Sequence, residues 1–182
     1  MLENNIIVEL TINGQKVKVG HKFLESIIID IPDVKENMKI FTLLACSDNY
    51  EIREKISRKD YLSKEAIDIL LNDKSDDVIE NILSNRDVNK YITNEQILSI
   101  IEKDNTKLLS TIANNIDEFK NCDRCKIISH MVKHESAKVK VSLFTYSVSD
   151  LLSNEMLSEL SNDKDFDVAY EAKKELKDRM KD

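Results

Sequence analysis

The 182-residue sequence is short of the residues that break helices or staple small folds. It has two glycines, one proline, three cysteines and no tryptophan. Glycine and proline punctuate turns, so their scarcity argues against a sandwich or barrel of many short strands. An odd number of cysteines does not form a complete disulfide framework and fits a reducing compartment. No apolar run approaches the roughly 18 residues of a membrane span. Met1 to Leu10 has neither a basic start nor a long apolar stretch, which argues against a secretory leader. These absences lead us to expect a cytoplasmic protein with no membrane partner. What is present is 41% hydrophobic and 34% charged residues, a balance typical of helix-rich domains. The net charge of −7 argues against a broad nucleic-acid footprint, which needs clustered lysine and arginine. One stretch, 122–151, is nevertheless net basic.

The strongest pattern is a recurrence of helix-capping residues. Asp33, Ser63, Thr93, Asp123 and Ser153 fall at a constant spacing of thirty. Each has a side-chain oxygen able to accept from the free N–H groups of a helix's first turn. Glu65, Glu95 and Glu155 follow three of them by two positions, where a carboxylate favours the positive end of the helix dipole. Four residues past the cap stand Ile67, Ile97, Ile127 and Leu157; seven past stand Ile40, Leu70, Ile100, His130 and Leu160. That spacing is one helix face, and it predicts a buried stripe, His130 included.

A second series lies between these. Asn49, Ser75, Asn105, Ser136 and Asp165 are cap types, followed at three positions by Ile52, Val78, Leu108, Val139 and Val168. Seven positions on come Ile56, Ile82, Ile112, Leu143 and Ala172. Self-similarity at this period signals stacked units that bury their apolar faces against neighbours. The alternative is an unrelated helical bundle with similar helix lengths.

Ile52-Arg53 through Ile56, Leu62-Ser63-Lys64-Glu65-Ala66-Ile67 and Leu70-Leu71-Asn72-Asp73 carry a family resemblance. Together with Ile112-Ala113-Asn114 and Asp163 through Val168, they resemble the leucine-rich-repeat-variant and HEAT-like families over roughly 31–176. The thirty-residue spacing is longer than the first family's unit and shorter than the second's. The resemblance implies an all-α, right-handed solenoid of two-helix repeats, about five of them. It also implies that such an array acts as a scaffold or binding surface. Tetratricopeptide and ankyrin repeats are disfavoured, for the chain lacks tryptophan and a Thr-Pro-Leu-His element.

Residues 6–19 read differently. Ile6, Val8, Leu10 and Ile12 alternate with other side chains, and Val17 and Val19 follow Asn13-Gly14. Asn-Gly between alternating runs predicts a β-hairpin with a type I′ turn. Its register would set Leu10 opposite Val17, Val8 opposite Val19 and Glu9 opposite Lys18. We expect residues 1–30 to form a hairpin and capping segment and 31–182 to form the repeat array, with Pro32 at the junction. A hairpin has a free edge, which offers a route to a partner strand or to a second copy of the chain.

Chemistry-bearing motifs are scarce. Cys122-Asp-Arg-Cys125 with His130 and His134 has metal-ligand residue types, but Cys125 and His130 would lie about 140° apart around one helix. The repeat alignment instead makes Cys122 and His130 core residues. No catalytic serine elbow, phosphate loop or dinucleotide fingerprint occurs, so we expect no metal, no cofactor and no enzyme activity. Arg53, Lys55, Arg58 and Lys59 form one basic run; Lys133, Lys138 and Lys140 form another. Tyr61, Tyr91 and Phe119 precede successive first helices, where they are expected to pack between repeats or, as the alternative, to form an aromatic strip for a peptide or an exposed base. From these we select Arg53, Lys55, Arg58, Tyr61, Tyr91, Lys138 and Lys140 as binding residues. The expected function is a non-catalytic interaction module that binds a polypeptide. The alternatives are a nucleic-acid-binding HEAT-like solenoid and, third, a redox or metal protein using Cys122 and Cys125.

Overall fold

The computed structural model describes residues 8–181. The chain is mostly helical after a short N-terminal hairpin. Strands β1 (Val8–Ile12) and β2 (Gln15–Val19) pair antiparallel, with Leu10 opposite Val17 and Glu9 opposite Lys18, the register that the Asn-Gly turn dictates. Asn13 and Gly14 have φ of 49° and 80°, the two positive values a type I′ turn needs. Glu9, however, pairs with Lys16 on the diagonal at 3.1 Å rather than with Lys18 across the ladder. Ile6 of the expected hairpin lies outside the described residues.

The chain divides into two compact units, Met1–Val88 and Asn89–Asp182. In the first unit the hairpin leads into α1 (His21–Ile27), α2 (Met38–Ala45), α3 (Tyr50–Ile56), α4 (Lys64–Leu71), α5 (Asp76–Ser84) and the start of α6 (Arg86–Asn89). Here α2 packs on α3 and α4, α4 packs on α5, and α3 packs on α5. The second unit holds α7 (Asn94–Ile101), α8 (Thr106–Asn114), α9 (Arg124–Val132), α10 (Ala137–Val141), α11 (Tyr146–Ser149), α12 (Asn154–Leu160) and α13 (Phe166–Arg179). In it α7 packs on α8, α8 on α10, α10 on α13, α9 on α12 and α12 on α13. Two types of contact alternate, between consecutive helices and between helices two or more apart. Among the described residues no helix is long and apolar enough to cross a membrane.

The caps explain where most of these helices begin. The side chains of Ser63, Asp123 and Ser153 accept from the backbone N–H three residues on, at 3.1, 3.0 and 3.2 Å. Thr93 forms a full capping box with Gln96. In the second series, Asn49, Asn105 and Asp165 cap α3, α8 and α13, while Ser75 and Ser136 hold the cap position of α5 and α10 without a side-chain bond. Glu95 and Glu155 have carboxyls held below their ordinary range. For Glu95 the first cause is its own backbone N–H, then the Thr93 hydroxyl; for Glu155 it is the Ser153 hydroxyl, then the backbone.

Asp33 departs from the pattern. A 3₁₀ turn at Lys35–Asn37 intervenes, and α2 starts after Asn37, four residues late. The buried stripe moves with it, from the expected Ile40, which is 44% exposed, to Phe41, Leu44 and Ala45. The Asp33 carboxylate instead accepts from the backbone N–H groups of Asp60 and Tyr61, at 2.7 and 3.1 Å. His130 is the second departure, exposed rather than buried. The interval from Asp123 to Ser136 is one residue longer than from Ser63 to Ser75 or Thr93 to Asn105. The inward face of α9 accordingly shifts by one, to Ile127, Ile128, Met131 and Val132. By contrast, all ten apolar residues forecast for the second series are fully buried. Each valine, leucine or isoleucine among them contributes about 1.5–3 kcal/mol of transfer free energy.

Candidate functional site

Polar side chains reach across roughly thirty residues of sequence in both units. In the first, the Lys55 ammonium donates to the Glu25 carbonyl at 2.7 Å and the Lys59 ammonium to Ile31 at 2.9 Å. In the second, Asn121 donates to the Lys90 carbonyl at 2.6 Å, and Asp123 N–H to the Asn94 side chain at 3.1 Å. Two further links, across 20 and 23 residues, are ion pairs. Arg53 Nε lies 2.5 Å from Asp73 Oδ2, with both side chains almost out of solvent, and its Nη1 also donates to the Ser47 and Asp48 carbonyls. Lys140 Nζ lies 2.5 Å from Asp163 Oδ2, also largely buried. The hydrogen bond from Lys140, followed by the Asp165 N–H, holds the Asp163 carboxyl below its ordinary value.

Two of the seven expected binding residues, Arg53 and Lys140, therefore point inward and are matched inside the fold. Charge patterning did not distinguish an inward cation from an outward one. The signal that does is an acid two residues before a cap: Asp73 before Ser75 and Asp163 before Asp165. Each acid accepts from the cap residue's N–H and still has an oxygen for the cation.

Lys55 and Arg58 come together in a cleft of about 390 Å³ lined by Ile29, Asp33, Glu54, Lys55, Arg58 and Lys59. Ile29 is 67% exposed and supplies an apolar contact surface. Arg58, just past the end of α3, is exposed and pairs with Glu54. Lys59 is turned inward, its ammonium 5.6 Å from the centre of the Phe41 ring. Arg58 is thus the cation in this cleft best placed to turn toward a ligand. Tyr61, whose backbone N–H is held by Asp33, is 49% exposed. Sequence reasoning missed Ile29 and Asp33 because neither belongs to a basic or aromatic run.

In the second unit Tyr91 is 55% exposed with the Lys90 ammonium 5.3 Å above its ring. Lys138 is exposed. Phe119 is fully buried and belongs to the core, so it packs rather than extending an aromatic strip. An open groove of about 780 Å³ is lined by Asp104, Thr106, His130, Lys133, His134, Glu135 and Ser136. Ser136 N–H donates to His134 Nδ1 at 2.9 Å, which leaves Nε2 to donate to Asp104, also at 2.9 Å. His134 thereby fills the place that Asp73 and Asp163 hold before α5 and α13.

Cys125 is exposed and Cys122 half-buried, its thiol 3.7 Å from the Ile92 carbonyl. The expected full burial of Cys122 does not occur. What burial it has, with a smaller push from the Glu95 carboxylate, raises the thiol to about 11, so it is not a thiolate nucleophile at neutral pH. Among the described residues no group of three or more His, Cys, Asp or Glu side chains is arranged to hold a metal ion. No family model matches the chain, and no curated protein or solved structure is significantly similar to it.

Proposed function

We infer that the chain is a non-catalytic interaction module, a stack of two-helix repeats resembling HEAT-like arrays, that binds a polypeptide. The repeat reading is supported by caps thirty residues apart, by polar links of similar span, and by packing of α2 on α4, α3 on α5, α8 on α10, α9 on α12 and α10 on α13. The observation that carries the binding reading is the cleft of Ile29, Asp33, Glu54, Lys55 and Arg58. An exposed aliphatic side chain sits there among charges of both signs, with exposed Tyr61 anchored to its wall. Such mixed chemistry suits a peptide, which offers apolar side chains together with donors, acceptors and charges. A polyanion finds less here, since Arg53 and Lys140 are neutralised internally and the chain as a whole carries −7.

The test is selection of a displayed random peptide library on the full chain, followed by calorimetry on the enriched sequences. The reading predicts dissociation constants on the order of micromolar, weakened about tenfold by Arg58→Glu combined with Tyr61→Ala. It fails if no peptide enriches. It fails also if single-stranded oligonucleotides bind more tightly and with a steep salt dependence.

A further inference from the structure

The last helix, α13, has two faces of different character. Val168 and Ala172 are fully buried on one, where the helix packs on α10 and α12. Arg179 locks the C-terminal end by donating to the Ser149 and Leu152 carbonyls at 2.6 and 2.9 Å. The other face carries Phe166 (78% exposed), Tyr170 (55%) and Met180 (84%). Lys173 and Lys177 stand between them, both exposed. The order Phe166, Tyr170, Lys173, Lys177, Met180 advances by four, three, four and three residues. That alternation is the seam along which one helix packs on another at a shallow left-handed crossing. The stripe spans only about 80° of the helix surface.

The charges on α13 are unevenly matched. Lys174 pairs with Glu171, Arg179 with Glu175 and Lys181 with Asp178. Lys173 and Lys177, the two in the seam, make no ion pair within the described residues. The rings of Phe166 and Tyr170 stack on each other with centroids 6.0 Å apart, presenting a joint apolar surface at one end.

We propose that this face of α13 docks an acidic amphipathic helix of a partner protein. Its apolar side chains cover Phe166, Tyr170 and Met180, and its carboxylates meet Lys173 and Lys177. The inference rests on α13 alone and concerns a surface separate from the Ile29–Arg58 cleft. Charge decides among occupants. A nucleic-acid strand would meet two unmatched cations on a chain of net charge −7, too few for more than a shallow salt slope of roughly −0.7 per contact. A second copy on the same seam would bring Lys173 and Lys177 of both chains into one interface with no acid of the seam to meet them. An acidic helix alone satisfies both the rings and the lysines.

The probe is a synthetic amphipathic helical peptide with leucine in its terminal seam layers and glutamate in its central layer. Its counterpart carries lysine in the central layer. Fluorescence anisotropy with the full chain is expected to show the glutamate peptide binding about tenfold more tightly. Lys173→Glu with Lys177→Glu, on an exposed face away from the core, should exchange that preference. Arg58→Glu should leave it unchanged, which separates this surface from the cleft. The proposal is overturned by equal binding of the two peptides, by an unchanged preference in the double variant, or by loss of binding in Arg58→Glu. It is overturned too if oligo-dT binds the stripe more tightly than the glutamate peptide. A wild-type dimer in sedimentation that the double variant dissolves would likewise assign the seam to self-association.

Discussion

Four second helices carry a side chain into the interior at the fourth position after their cap, and they do so in two ways. In α5 and α8 the residue is aliphatic, Ile79 or Leu109, at 1% and 0% exposure. In α3 and α10 it is a cation, Arg53 or Lys140, each facing a largely buried aspartate some twenty residues on. One backbone position thus accepts either apolar packing or an ion pair, provided the acid arrives with the base. A buried pair supplies matching more than net stability, because desolvation offsets most of its attraction. The functional lesson is that two of the most conspicuous cations in the chain belong to the interior. Under the proposed function, ligand contacts fall to outward residues such as Arg58, Tyr61, Lys173 and Lys177.

This contrast can be broken from the charged side first. Arg53→Met strands the Asp73 carboxylate out of water and is expected to cost about 3–5 kcal/mol in urea unfolding. Leu109→Ala, the aliphatic counterpart, should cost about 3 kcal/mol through lost burial and a residual cavity. Lys140→Met should cost about 2 kcal/mol, the smaller value reflecting a pair nearer solvent.

The Lys140 effect also has a pH signature. The Asp163 carboxyl sits below its ordinary value of 3.8, chiefly through the Lys140 hydrogen bond, so its stabilisation is present above about pH 4. It is lost as pH falls through the lowered folded-state value. Wild type and Lys140→Met should therefore differ by a constant amount near neutrality and converge in acid. The smallest effects concern the caps. Thr93→Ala removes a capping box and should cost about 1 kcal/mol, whereas Ser75→Ala, which loses no side-chain cap bond, should change stability by less than about 0.5 kcal/mol.

The second helices were legible because cap and apolar face lie within two turns of one another, so local spacing fixes both. The first helices were legible only where that local unit was intact. The 3₁₀ turn after Val34 displaced α2 by four residues, and one added residue before Ser136 turned His130 outward. The hairpin register followed from its turn, but the choice of Lys16 over Lys18 by Glu9 depends on strand twist. The inward direction of Arg53 was not legible, since it depends on Asp73 arriving from the next helical pair. Lys55 and Arg58 were found through their charge. Ile29 was not, because only the folded chain distinguishes an exposed isoleucine from the buried Ile28 beside it.

The most direct test is a double-mutant cycle on Arg53→Met and Asp73→Leu, read at once in urea unfolding and in affinity for a library-selected peptide. If Arg53 belongs to the interior, each single variant is strongly destabilised and the double variant returns close to wild type. The coupling energy should then exceed about 2 kcal/mol, with peptide affinity of the double variant unchanged. Additive single effects, or a folded double variant that no longer binds the peptide, would contradict the account.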